Sequence, residues 1–268
     1  MIPFPPHAVS PGLRVVILTC GELGFEVANR LVRETGIDVV AVFRSPWLRR
    51  KLTLAQKFRH VVRTQGIGGL FQVTRARLLP EAAPDIETAK LEPAVSLVEV
   101  DDFHSAPARE KLHALRSDLG VVVGTYILRD GVYDIPRLGS INLHSGKAPH
   151  YRGSAPGFWE MYNGETEIGI TIHRVAAALD AGDVLRQETF PLESAPVGDP
   201  LTYIERYRRE VLRPNGIRML VETVRDIAAG GACPCPQDHR LARTYPTPAY
   251  QDVRELRSRV RRRRGGGS

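Results

Sequence analysis

Ser140-Ile141-Asn142-Leu143-His144 runs directly into Ser145-Gly146-Lys147-Ala148-Pro149, and that junction decides the fold. The first five residues read as a buried strand carrying two polar side chains. Strand side chains alternate in direction, so Asn142 and His144 share one face and Ile141 and Leu143 the other. A polar side chain on a buried strand needs a partner or a task. The strand ends in a Gly/Pro-containing loop, which is where open α/β sheets place their sites. Asp180 sits between Leu179 and Ala181-Gly182, just beyond a second strand-like run. Asn, His and Asp converging on one loop-walled pocket would equip it for acid–base chemistry at a carbonyl.

Outward from this core, the N-terminal half reads as alternating strands and helices. Leu13 to Cys20 is a first buried strand, Gly21-Glu22-Leu23-Gly24-Phe25 turns it into a helix, and Ile37 to Phe43 is a second strand. Strand, helix and strand joined by short turns imply a right-handed crossover and a parallel sheet. Gly21-x-x-Gly24 lacks the third glycine and the acidic strand end of a dinucleotide fingerprint. Residues 44–93 carry apolar side chains at irregular helical spacing and read as a helical insertion. Further strands are expected at 96–100, 118–124, 168–175 and 184–190, with helices at 107–116 and 157–162 capped by Gly164. Thr202 to Ala229 reads as a long amphipathic helix broken by a turn at Pro214-Asn215-Gly216.

The bulk numbers narrow the classes. The chain has 268 residues, 43% of them hydrophobic, enough for one substantial core. No apolar stretch approaches the ~18 residues of a membrane span, and the proline-interrupted first twelve residues do not resemble a signal peptide. Three cysteines, Cys20, Cys233 and Cys235, make no disulfide framework, so a reducing cytoplasm is expected. Cys233-Pro234-Cys235 spans too little for zinc, and no metal site is expected. The formal charge of +7 is concentrated at the end: seven arginines within 251–268 face only Asp252 and Glu255. That run reads as a solvated terminus, with RNA contact as the alternative. Gly265-Gly266-Gly267-Ser268 resembles a flexible linker.

Four segments together carry a resemblance. Asn142-x-His144, Pro149-x-Tyr151-Arg152-Gly153-x-Ala155-Pro156, Gly169 to Val175, and Leu179-Asp180-x-Gly182 resemble the folate-dependent formyltransferases. That family includes glycinamide ribonucleotide transformylase, methionyl-tRNA formyltransferase and the sugar N-formyltransferases. The resemblance is strongest over 118–190, extends over 13–117 and fades beyond 200. It implies an α/β, Rossmann-like, mostly parallel sheet (the formyltransferase fold) over residues 13–192. A helical C-terminal extension over 193–260 and a disordered end at 261–268 are expected to follow.

The resemblance also implies 10-formyltetrahydrofolate as co-substrate, transferred to a small-molecule amine. Asn142 would polarise the formyl oxygen, His144 would act as oxyanion partner and proton relay, and Asp180 would orient and deprotonate. Tyr126, Ile127, Leu128, Pro149, Val175 and Ala177 would line the folate. Gly21, Glu22, Tyr151, Arg152 and His173 would face the acceptor. Singly, each residue has a plain structural alternative: Asn142 tying a turn, His144 or His173 as a satisfied strand histidine, Asp180 in an Asx-turn, Arg152 in a salt bridge.

Where the purine and tRNA enzymes carry Ser-Leu-Leu-Pro, this chain has Gly146-Lys147-Ala148-Pro149. That departure places an amino sugar or nucleotide-linked amino sugar first among acceptors. Methionyl-tRNA is the alternative, and a catalytically silent nucleotide- or RNA-binding relative is the rival of another class. A formate-releasing hydrolase would use the same residues but carries an amino-terminal regulatory module not expected here. Oligomeric state is not legible.

Overall fold

Strand β1 (Leu13–Thr19) shows how the core is divided. Val15 and Ile17 join one apolar cluster, and Val16 and Leu18 join another on the opposite face of the sheet. A strand buried on both faces belongs inside a layered α/β sheet, which explains the continuous apolar run Val15–Leu18. The computed structural model describes residues 12–46 and 90–265. The helical insertion expected at 44–93 therefore lies, for residues 47–89, outside the described residues.

Strand β1 leads into helix α1 (Leu23–Leu31) and back to β2 (Ile37–Arg44), parallel to β1. Then come β3 (Leu97–Glu99), α2 (Ala106–Ala114), β4 (Leu119–Val123) and β5 (Ser140–His144). Next are β6 (Arg152–Gly153), α3 (Phe158–Asn163), β7 (Glu167–Arg174) and β8 (Val184–Pro191). The main sheet has the order β3-β2-β1-β4-β5-β7-β8. Its first five strands run parallel, while β7 is antiparallel to both β5 and β8. The chain fills the sheet outward from β1 on one side, then returns to build from β4 on the other. The expected Rossmann-like, mostly parallel α/β sheet is what the chain forms.

The helices after the sheet depart from expectation. Helix α4 (Pro200–Tyr207) passes through a π turn (Arg208–Leu212) into α5 (Arg213–Ala228) without a turn at Pro214-Asn215-Gly216. Pro214 falls in the first turn of α5, where its missing N–H goes unneeded. Gly216 lies close to β5: a Cβ there would sit 3.0 Å from Leu143 Cδ1, which would have to give way. Helix α5 buries Ile217, Met219, Leu220, Val224 and Ile227 in the same cluster as β1 and β4, so it is a layer of the core.

A second, two-stranded sheet pairs β6 with β9 (Thr244–Tyr245). Helix α6 (Tyr250–Gly265) closes the chain, so residues 261–265, expected to be disordered, are helical. Leu256 and Val260, one turn apart, are buried. Arginines do the rest of the anchoring. Arg263 donates to the carbonyls of Met161, Tyr162 and Ser194, and Arg259 lies 4.0 Å over the Tyr162 ring. Cations at the exposed carbonyls ending α3 are placed where a helix terminus favours them. Among the described residues no helix is long and apolar enough to cross a membrane.

Candidate active site

Register builds the site. The antiparallel pairing of β5 with β7 sets Asn142 opposite His173 and His144 opposite Thr171. Directly opposed residues project to the same face, so two polar pairs meet at the carboxyl end of β5. His173 Nδ1 lies 2.8 Å from the Arg174 carbonyl and must carry a proton to bond it. In neutral His173, Nε2 is then an acceptor, and Asn142 Nδ2 donates to it over 3.2 Å. That bond engages one amide hydrogen of Asn142 and fixes the plane of the other.

Thr171 performs the matching task one position along. Its buried hydroxyl donates to the Gly146 carbonyl (2.7 Å) and accepts from Ala148 N–H and Gln187 Nε2. The 146–149 loop is thereby tied to the sheet. His144, itself buried, donates from Nε2 to the Tyr151 carbonyl at 2.6 Å. Only its Nδ1 edge stays uncommitted.

Asp180 arrives from the β7–β8 connection. Its backbone is left-handed, with φ of 49°, a conformation that Asp tolerates better than most side chains. Its Oδ2 accepts the Gly153 N–H at 2.8 Å and lies 3.5 Å from His144 Nδ1; its Oδ1 lies 3.5 Å from His173 Nε2. Burial alone would raise the carboxyl pKa, but the His173 and His144 rings beside it and the Gly153 N–H it accepts hold it at about 2. Burial lowers the pKa of His144, and the Asp180 charge opposes that. Asp180 is thus a fixed anion between two imidazoles.

A cavity of about 220 Å³ opens over this cluster. Asn142, His144, His173 and Asp180 form its polar side; Ile127, Leu128, Val175, Ala177 and Leu179 form an apolar side with Tyr126. Ile127 and Leu179 are exposed at the rim. The Tyr126 hydroxyl is committed elsewhere, donating to Asp102 and accepting from Phe103 N–H.

Not every expected residue comes to this cavity. Pro149 does not line it; its carbonyl accepts from Arg243 N–H. Gly21 and Glu22 lie at the β1–α1 turn, apart from the lining. Tyr151 and Arg152 border a smaller pocket behind His144. Tyr151 donates its hydroxyl to Glu165 and stacks on Tyr245 at 5.1 Å. Arg152, expected to face an acceptor phosphate, is buried against Gln237 (2.6 Å) and His239 (3.1 Å). His173, expected beside the acceptor, belongs to the polar cluster itself. Cys233 and Cys235 are exposed free thiols, and no group of His, Cys, Asp and Glu among the described residues is arranged to hold a metal.

Two contributors escaped the sequence reading. The Gly153 N–H acts through the main chain, for which the Arg-Gly-Ser run offered only the glycine as a sign. Gln237 is a lone amide in a Pro/Cys-rich stretch, and nothing in its neighbourhood marks it as buried.

Residues 72–205 match the family described as Formyl transferase. Methionyl-tRNA formyltransferase of Parabacteroides distasonis is 36% identical over 148 residues, covering 55% of this chain and 41% of the relative. That of a Roseiflexus species is 36% identical over 183 residues, 67% of this chain and 54% of the relative. The chain spans about half the length of the curated relatives it matches. Among solved structures, glycinamide ribonucleotide transformylase 1 of Symbiobacterium toebii aligns with a TM-score of 0.55 at 20% identity, covering 86% of this chain and 96% of its own. A sugar N-formyltransferase from a Shewanella species gives 0.55 at 14%, covering 87% and 76%. HypX from Aquifex aeolicus, in complex with tetrahydrofolic acid, gives 0.55 at 15%, covering 92% and 33%.

Proposed function

Because this chain belongs to the formyl transferase family, we propose that it moves a formyl group from 10-formyltetrahydrofolate to a primary amine. The observation that carries this is the meeting of Asn142, His144 and Asp180 on one cavity wall, with the carboxylate 3.5 Å from His144 Nδ1. The cavity fits such a co-substrate: an apolar side for a flat ring, and a polar side with a neutral donor, an imidazole and an anion. Tyr126, Ile127, Leu128, Val175 and Ala177 would hold the ring. Bound there, the co-substrate supplies an amide-like formyl group to be attacked.

The chain's own residues divide the work. Asn142 keeps one amide hydrogen on His173 and directs the other at a carbonyl oxygen, donating at any pH as charge develops there. Asp180, a buried carboxylate held well below the usual carboxylate range by the groups around it, makes a poor base. The proton from the attacking amine therefore goes to the neutral His144, whose Nδ1 gains an ion pair with Asp180 on accepting it, and from His144 to the donor nitrogen that leaves as its bond to the formyl carbon breaks. In this reading His144 takes the proton that the sequence reading assigned to Asp180.

The names of the sequence relatives move methionyl-tRNA ahead of an amino sugar as the acceptor. A second observation favours the amino sugar. Several of the α6 arginines are engaged within the protein: Arg257 with Asp199, Arg263 with three carbonyls, Arg264 with Gly198 O. We place the reaction in the cytoplasm, where free thiols persist. Incubation with 10-formyltetrahydrofolate and either methionyl-tRNA or nucleotide-linked amino sugars, read by mass as one added formyl group, tests both. Formylation of neither, with no tetrahydrofolate released, rejects the proposal.

A further inference from the structure

The Asp180 loop is held by one buried side chain on a segment far along the chain. Gln237 lies beyond α5, outside the 72–205 stretch that matches the family. Its carboxamide is satisfied at every corner. Nε2 donates to the carbonyls of Asp180 (2.9 Å) and Gly182 (2.6 Å), while Oε1 accepts from Arg152 Nε (3.2 Å) and Nη2 (2.6 Å). Arg152 has donors only, so it decides which end of the amide faces the 180–182 carbonyls. Gln237 therefore cannot flip without setting oxygen against oxygen.

Both anchors of Asp180 lead back to this residue. Its carbonyl is bonded by Gln237 directly, and its carboxylate takes the N–H of Gly153, the neighbour of Arg152. The flanking chain is tied down too: Cys235 and Val184 exchange backbone hydrogen bonds, and β9 pairs with β6. Even for Asp, a left-handed backbone carries some cost that the surroundings offset. We propose that Gln237 is the positioning residue for Asp180, setting the carboxylate against His144 through the Asp180 and Gly182 carbonyls.

The proposal deepens the formyl-transfer reading and rests on it for its turnover arm only. Gln237→Glu keeps the length and the Arg152 contact but removes both donors to the loop. Gln237→Met keeps the volume and adds no charge. In both variants kcat is expected to fall about a hundredfold, with KM for 10-formyltetrahydrofolate nearly unchanged, as a displaced catalytic group predicts. Imidazole NMR on Gln237→Met provides an arm independent of turnover. The charged and titratable groups around His144 are Asp180, His173 and Arg152. Losing the Asp180 charge from Nδ1 makes His144 titrate at lower pH than in the wild type. Wild-type kcat in Gln237→Glu, a change confined to KM, or an unmoved His144 titration in Gln237→Met overturns the proposal. If Gln237→Met fails to fold, the kcat and KM of Gln237→Glu decide. If the wild type itself transfers no formyl group, the titration decides alone.

Discussion

Asp180 Oδ2 lies 3.5 Å from Nδ1 of His144, a ring whose other nitrogen already donates to the Tyr151 carbonyl. A proton reaching this imidazole thus has one place to go, and the charge it creates has its counter-ion waiting. Asp180→Asn keeps an acceptor for Gly153 but removes that counter-ion. Turnover is expected to fall roughly 10²–10⁴-fold, the span of a lost acid–base contribution. The acid limb of the pH–rate profile should also move to lower pH, since the charge that favours protonated His144 is gone. An Asp180→Asn profile superimposing on the wild type would remove Asp180 from the proton path.

Asn142 is held by His173 so that a single amide hydrogen remains directed. Asn142→Ala removes this donor without adding charge, and kcat should fall ~10²–10³-fold. Asn142→Asp should be worse, because it sets a second carboxylate near Asp180 where negative charge must develop. Single-turnover kinetics separates this loss from weakened binding; equal rates for the two variants would argue against a role in holding charge.

Much of this was legible because the determining signals are local. The alternation in Ser140–His144 and the apolar runs of β1 and β4 fixed the sheet, since each records its burial in two or three neighbouring letters. The Asn142/His144/Asp180 set was legible as a pattern. His173 was placed near the site by resemblance, but its bond to Asn142 was not legible, because it depends on the register of β7 against β5. Arg152 looked like a phosphate ligand because a guanidinium announces itself equally whether it faces solvent or Gln237. The arginine-rich end looked unstructured because its ordering partners are main-chain carbonyls 66 to 102 residues away, which leave no mark on the local sequence.

Acid should destabilise the fold through this same cluster. The Asp180 carboxyl is depressed from 3.8 to about 2, so its stabilisation is fully present above pH 4 and is lost as pH falls through 2. At ~1.4 kcal/mol per unit, the loss is about 2 kcal/mol. His144 adds to it below pH 6.5, because its buried neutral ring must accept charge on folding less readily than when unfolded. Urea unfolding of the wild type and Asp180→Asn between pH 6 and pH 2 should converge as the pH drops. Parallel curves would refute the assignment.

Glu160 acts in the opposite sense. Burial raises its carboxyl to about 7 despite the Gly157 N–H that it accepts. A raised carboxyl favours the fold below its ordinary 4.5 and loses that advantage as pH rises through 7. Glu160→Gln stays neutral throughout, so its Tm should gain on the wild type at pH 8 relative to pH 5. The gain corresponds to about 3 kcal/mol at most. A Tm difference independent of pH would show that the carboxyl is not titrating in the fold.

Gly146 is where the loop after His144 departs from the Ser-Leu-Leu-Pro pattern, and a side chain there would be crowded. A Cβ on residue 146 would stand 2.4 Å from His144 Nε2 and 2.4 Å from the Tyr151 carbonyl oxygen, the two ends of one hydrogen bond. Gly146→Ser must push these apart or shift a loop that Thr171 ties to the sheet through Gly146 O. Either response turns the imidazole, and Nδ1 with it, away from Asp180. A crowded buried site of this kind costs about 1–3 kcal/mol, and kcat should drop with it while folate binding on the far, apolar wall is kept. Gly146→Ala should behave alike, because the clash belongs to Cβ and not to the hydroxyl. Thermal unfolding and kcat for the two variants check this: a Gly146→Ser protein with wild-type turnover would mean that the His144–Tyr151 bond does not hold the ring in its working orientation.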